Sequence, residues 1–254
     1  MTAPPDGSVA KLCRQPCRDM IVVGLATGCF TVVDFKGSHF EREIVLWNVR
    51  WYVAYPISYR QLEEMMEERG VEIDHSSLNR WVLTYAPLLD QAFRTREARV
   101  GGSWRMEETD VRIRGRWKYL YRAVDKAGNT VDFLLTATRD RKAAVRFLRK
   151  AISLHGMPAT ITIDKSGANT AAIASYKLER DAEIELRQVK YLNNVVEQDH
   201  RAIKRQVRPM MGFKSFWSAS ATLAGIELMH MIRKGQLQAA GRLCAAQQFY
   251  SLAS

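Results

Sequence analysis

The chain has 254 residues, 47% hydrophobic and 26% charged, a balance that excludes wholesale disorder and allows a real core without disulfide or metal staples. Its 38 Lys and Arg against 27 Asp and Glu leave a formal charge of +11, which favours a polyanionic partner, nucleic acid before an anionic membrane surface. The length suits one large domain, or a small one followed by a medium one. Cys13, Cys17, Cys29 and Cys244 show no CxxC spacing and no second close pair. Free thiols in a reducing cytoplasm are therefore expected, not a disulfide framework or a zinc site. The apolar run from Met20 to Val33 is too short for a membrane span and lacks a clear cleavage site. Residues 1–33 are read as a non-native or disordered extension translated from upstream of the true start, and the protein as soluble and cytoplasmic, with no membrane partner.

From Glu41 the pattern is helical: Ile44, Val45, Trp47, Val49, Trp51, Tyr52 and Val53 are apolar, and Pro56 closes the segment. Ser58 opens a second helix with Gln61 three residues on, a capping-box spacing, and Gly70 stands where the C-cap takes a left-handed residue. Leu62, Met65 and Met66 form its stripe. After Val71-Glu72-Ile73, Asp74 or Ser76 caps a third helix with Leu78, Trp81, Val82, Tyr85 and Leu88 facing inward. Three helices with a glycine turn follow the helix-turn-helix plan, whose third helix enters the major groove by its N-terminal end. Ser77, Asn79 and Arg80 would then reach bases and Arg60 a phosphate, although the same grammar fits a plain three-helix bundle. Arg94 to Arg99 reads as a basic linker, so the helix-turn-helix region is bounded at 34–98.

After Gly101-Gly102 the period changes to two. Trp104 to Ile113 alternates, with Glu107, Thr109, Val111 and Ile113 on one face and Met106, Glu108, Asp110 and Arg112 on the other. Trp117 to Val124 and Val131 to Ala137 follow as strands across two turns, giving an antiparallel meander. A helix over Arg141–Ile152 leads to a short apolar strand, Ala159–Ile163, whose composition suits a buried parallel position. A helix around Ala168–Leu178, a strand at Ile184–Val189 and helices from Asn193, broken at Pro209 and Gly212, complete an α/β order that fits a ribonuclease-H-like, integrase-type core over 99–236. Residues 237–254 are left as a C-terminal tail.

In this order, acids in the first strand, at the end of the fourth and at the start of a following helix converge, and Glu107, Asp164 and Glu197 hold those places. Carboxylate oxygens suit hard divalent cations, and two such ions can activate a nucleophile and stabilise a leaving oxygen at a phosphodiester. Asp164 has the alternative reading of a helix N-cap. Glu197 shares its helix face with Arg201, Lys204 and Arg208, beside a stripe of Val196, His200, Ile203 and Val207; an exposed helix with Glu–Arg pairs would look the same. Lys190, Lys204, Arg205, Arg208 and Lys214 suit a DNA-backbone track.

Several blocks, in order, resemble one family: Asp34-Phe35-Lys36-Gly37, Arg50-Trp51-Tyr52, Tyr59 to Met65, Trp117 to Asp125, Lys190 to Asn194, Glu197 to His200 and Gly212 to Phe216. They are similar to the insertion-sequence-six family of bacterial DDE transposases, from about Asp34 to Gln236. The resemblance implies a helix-turn-helix that binds the element's terminal inverted repeats and a core using Mg²⁺, two ions, with Mn²⁺ as a substitute. It implies nicking that frees a 3′-hydroxyl, attack of that hydroxyl on target DNA, and a homo-oligomer on paired ends. The family's second and final acids fall on Asp164 and Glu197, and its basic residue beyond the final acid on Arg201 or Lys204. Glu107 stands where the family has aspartate in Trp104-Arg105-Met106-Glu107-Glu108-Thr109-Asp110, and the added methylene moves the carboxylate by ~1.5 Å. Asp110 cannot replace it, being on the opposite face about 10 Å along the strand. Lys165-Ser166-Gly167 lacks the family's nearby proline and tyrosine, and the Asp164–Glu197 interval is shorter than usual. A second reading is therefore a decayed copy that keeps DNA binding without strand transfer.

Overall fold

The structure is a computed structural model and describes residues 33–35, 39–164, 167–189, 194–238 and 240–253. The expected extension lies outside the described residues except for Val33, which is buried, and so does Lys190. Three helices come first. Helix α1 (Arg42–Ala54) buries Val45, Leu46, Val49, Tyr52 and Val53. Helix α2 (Tyr59–Glu67) opens with the Ser58–Gln61 capping box, in which the Ser58 amide donates to Gln61 Oε1 at 2.8 Å. Gly70 adopts φ +73°, and the Val71 amide returns to the Met66 carbonyl at 3.1 Å, closing the helix before the turn.

Helix α3 (His75–Arg94) is capped by Asp74, and hydrogen bonds from Ser76 and Ser77 hold that carboxylate well below its usual range. Leu88 departs from the expected inward stripe and is exposed; Ala86 and Leu89 are buried in its stead, because one residue turns the side chain by about 100°. The helix also runs through Pro87 to Arg94. Arg94 is consequently no linker cation. Its guanidinium lies among Glu97 at 2.9 Å, Asp132 at 3.2 Å and Asp90 at 3.6 Å.

The sheet comprises β1 (Ser103–Ile113), β2 (Arg116–Asp125), β3 (Thr130–Thr136), β4 (Thr160–Ile163) and β5 (Glu185–Gln188), in the order β3-β2-β1-β4-β5. The first three strands form the antiparallel meander, while β4 runs parallel to β1 and β5 parallel to β4. This is the ribonuclease-H-like order. Helices α4 (Arg141–His155) and α5 (Gly167–Arg180) cover one face, where Trp104, Met106, Tyr121, Ile161 and Ile163 meet Phe147, Leu148 and Ile173. The alternation of β1 sends Val111 and Ile113 to the other face, toward α6 (Asn194–Val207) and α7 (Phe216–Arg233).

That second face does not end at the sheet. Its core continues through Leu223, Ile226 and Met229 of α7 to Val53 of α1 and Ala86 of α3. Gly225 makes the three-helix approach feasible: a Cβ there would stand 2.6 Å from Val53 Cγ1 and 2.9 Å from Ala86 Cβ. Helix α8 (Ala245–Tyr250) and the turn after it seat Phe249 and Leu252 in the same core. Arg50 Nε donates to Tyr250 Oη at 2.7 Å, and Arg96 to the Ser251 carbonyl at 3.0 Å. No helix among the described residues is long and apolar enough to cross a membrane.

Candidate active site

The register sets the first two acids. Parallel pairing of β1 with β4 aligns Arg105 with Thr162, and continuing it by two residues puts Glu107 beside Asp164 at the C-terminal end of β4. Glu107 lies on the face away from α4 and α5, since Met106 points into that layer, and the charge of Asp164 reaches it there. Helix α6 crosses the same region, buries Val196, His200 and Ile203, and brings up Glu197 in its first turn. Glu107, half-buried, is pushed up to about 7 by burial and then by the charges of Glu197 and Asp164, with Glu108 adding and Lys204 opposing. The three carboxylates thus share one electrostatic field, the condition a cation relieves.

Glu107 Oε2 is buried and has no hydrogen-bond partner among the described residues. Among the described residues a basic atom near it is His200 Nδ1 at 3.8 Å. Burial, then Arg122 and Lys204, drives His200 down to about 3, so the imidazole is neutral and cannot compensate the carboxylate. Among the described residues no three His, Cys, Asp or Glu side chains close into a metal cage by themselves. The donor set nonetheless fits a hard divalent cation: carboxylate oxygens in a shared field, one of them buried and unpaired. Glu108, next to Glu107, faces the other layer, where it accepts from Asn169 Nδ2 at 2.8 Å and pairs with Arg139.

Sequence reasoning missed the support behind α6. Asp199 of α6 accepts from Arg122 of β2 at 3.3 Å and meets His230 Nε2 at 3.2 Å and Lys234 Nζ just past α7. Arg122 is fully buried and also grips Glu227 of α7, at 2.6 and 2.8 Å. Burial works against the Asp199 carboxylate, but His230, Arg122 and Lys234 together hold it well below its usual range. The helix that presents Glu197 is therefore bolted through Asp199 to a sheet strand and to α7. The signal was legible: an arginine in the middle of an apolar, aromatic strand needs buried acids to meet it.

The expected phosphate contacts Arg201, Lys204 and Arg205 on α6, Arg208 in the turn after it and Lys214 beyond are all exposed. In the three-helix region Arg60 and Arg80 are exposed, and Asn79 is half-buried. The Ser77 hydroxyl is committed locally, donating to Asp74 at 2.8 Å and accepting from Arg80 at 3.2 Å.

A sheet in this order, carrying carboxylates on its first strand, at the end of its fourth and on a following helix, defines a phosphoryl-transfer core of the ribonuclease-H-like class. Residues 101–236 match the DDE domain family. The transposase of the insertion-sequence-like element IS431mec of Staphylococcus aureus strain Mu50 is 37% identical over 205 residues, covering 79% of this chain and 88% of that protein. The transposase of insertion sequence element IS257 in transposon Tn4003, also of Staphylococcus aureus, is 36% identical over the same shares. The HTLV-2 integrase catalytic core domain, solved in complex with magnesium, is similar at 16% identity and a TM-score of 0.42, covering 61% of this chain and 99% of that one. The chain belongs to the DDE transposases of the insertion-sequence-six family.

Proposed function

We propose that this transposase nicks DNA at the ends of its own element and joins the freed 3′-hydroxyl to target DNA, with Glu107, Asp164 and Glu197 as its metal-holding acids. The observation that supports the reading is the parallel β1–β4 register, which continued past Arg105 and Thr162 leads to Glu107 and Asp164, together with Glu197 in the first turn of α6. These carboxylates would hold Mg²⁺, which supplies activation of the attacking oxygen and stabilisation of the leaving one. In the first step water attacks the phosphodiester and the element's 3′-oxygen leaves. In the second, that hydroxyl attacks a target phosphodiester and a target 3′-oxygen leaves. Both are in-line transfers in which the protein chiefly positions its reactants.

The chain's own residues supply that positioning. Exposed Arg201, Lys204 and Arg205 of α6, with Arg208 just after it and Lys214 beyond, suit a phosphate backbone, and the sequence adds Lys190 to the same set. Neutral His200 packs beneath Glu107 and leaves the carboxylate available. Helix α3 and its neighbours would read the terminal inverted repeats through Asn79 and Arg80, with Arg60 on a phosphate and Ser77 steadying Arg80. Two ends held together imply more than one copy, and a DNA substrate implies a cytoplasmic location.

The test is Mg²⁺-dependent nicking of a labelled duplex carrying the element's end, by this chain beside Glu107→Asp and Glu107→Gln. Cleavage by the native chain and its loss in Glu107→Gln are expected. Cleavage by Glu107→Asp alone would favour the second reading, a copy stalled by the reach of one carboxylate. Nicking unchanged in Glu107→Gln would remove this residue from the site.

A further inference from the structure

The β1–β2 hairpin extends past the helices that cover its first face. That layer ends at Tyr119, which is half-buried against it, and Trp117, two residues further out on the same face, is 61% exposed and belongs to neither core. Arg112 pairs with Trp117 across the hairpin and shares its face. On the other side of β1, the segment after α6 adds a short parallel contact: the Phe213 amide donates to the Arg112 carbonyl at 3.0 Å and the Arg114 amide to the Phe213 carbonyl at 2.9 Å. Phe213 turns inward with Ile113 into the core, and the residues that follow the two, Arg114 and Lys214, are exposed together at the tip of the hairpin, next to Arg112. Gly212 keeps the approach close, since a Cβ there would come to 3.1 Å of the Arg112 carbonyl oxygen. Arg114 Nε fixes the arrangement by donating to the Lys214 carbonyl at 2.7 Å.

This end of the hairpin presents an exposed tryptophan, a partly buried tyrosine and three exposed cations, none ion-paired among the described residues. Asp110, opposite Tyr119, is its inner boundary. Trp117 and Tyr119 are about 6.8 Å apart along the strand, a step comparable with that between unstacked bases of an extended chain. Their surface is too polar at its margins for a protein core and too aromatic for simple backbone attraction. Self-association by a two-fold contact would set like charges against each other, which disfavours a second copy as the occupant.

We propose that this sheet face is a stacking platform for unpaired DNA, Trp117 and Tyr119 taking successive bases while Arg112, Arg114 and Lys214 meet their phosphates. It rests on the reading of DNA as substrate. It lies about 17 Å along β1 from Glu107 and on the opposite face, outside the reacting centre. An exposed aromatic flanked by cations binds any base, because every base offers a π face.

The sequence tolerance of stacking selects the probe: a short fluorescein-labelled oligothymidylate, compared with a blunt duplex at matched salt, bound to the full chain. Trp117→Ala is expected to weaken oligothymidylate binding about tenfold, the loss of one stacked base, and to shift duplex affinity less than about twofold. Trp117→Phe should restore most of the loss. A circular-dichroism melt matching the native one will show that the exposed side chain was not holding the fold. Equal oligothymidylate affinity in native chain and Trp117→Ala would overturn the platform, with nicking and duplex binding still standing. So would a Trp117→Ala variant that halves the sedimenting mass while binding oligothymidylate normally, since the face would then belong to a second copy. A native chain that binds duplex but not oligothymidylate would also overturn it. Failure to bind either DNA would remove the functional reading together with this one.

Discussion

Glu107 shows how one side chain joins stability to chemistry. Its carboxyl is raised from 4.5 to about 7 by burial and by Glu197 and Asp164, so the folded state holds a proton that the unfolded chain releases earlier. Between about pH 4.5 and pH 7 the native state binds more protons at this position, and stability falls as pH rises through that window. Glu107→Gln removes the dependence, and its urea midpoint should exceed the native chain's at about pH 8 but not at about pH 5. The same variant is expected to lose nicking, which makes this a site whose function is held at the expense of stability. The sequence located the residue, its face and its departure from the family's aspartate. The neutrality of His200 beside it was beyond reach, because it comes from burial on the inner face of α6 near Arg122 of β2, a contact between distant segments.

At the level of elements, the reliable signals were local ones. The Ser58–Gln61 box, the Gly70 turn and the two-residue period of β1 depend on neighbours in the chain, and all three formed as written. The inward place of Leu88 and the linker role of Arg94 depended on what packs against α3, and both changed. Gly225 is a comparable case. A glycine within α7 reads as a weakness in a helix worth up to about 1 kcal/mol, yet Gly225→Ala should destabilise the protein by about 1–2 kcal/mol, because the methyl meets Val53 and Ala86. A lower urea midpoint at unchanged slope would establish it. Arg122 offers a sharper test of the support behind α6. Arg122→Leu strands the buried Glu227 and should cost about 3–5 kcal/mol, whereas adding Glu227→Leu should recover much of it. A double variant no more stable than Arg122→Leu would show that Asp199 carries the penalty instead.

For the whole molecule, the decisive feature is that one hydrophobic core passes from the sheet through α7 into α1 and α3 and takes in Phe249 near the C-terminus. Neither the three helices nor the sheet closes its own apolar surface. Thermal unfolding should therefore show one transition, with far-ultraviolet circular dichroism and tryptophan fluorescence coinciding. Tryptophans stand in both regions, Trp51 and Trp81 in the helices and Trp104 in the sheet, so separate melting would appear as split curves. From the sequence, the change of period at Gly101-Gly102 reads as a boundary between two regions, which is correct for secondary structure. Periodicity reports each element's own apolar face and not which distant element covers it, so the common core was invisible until α7 was placed.

Helix α7 also bears on how such chains recombine. A chimera made by joining the first 98 residues of one relative to the remainder of another would match every backbone junction and still set a foreign Val53 and Ala86 against Gly225. A single methyl at any of the three positions is enough to spoil the fit. Transferable units in this lineage should therefore be discontinuous, with the N-terminal helices inherited together with a helix more than a hundred residues downstream.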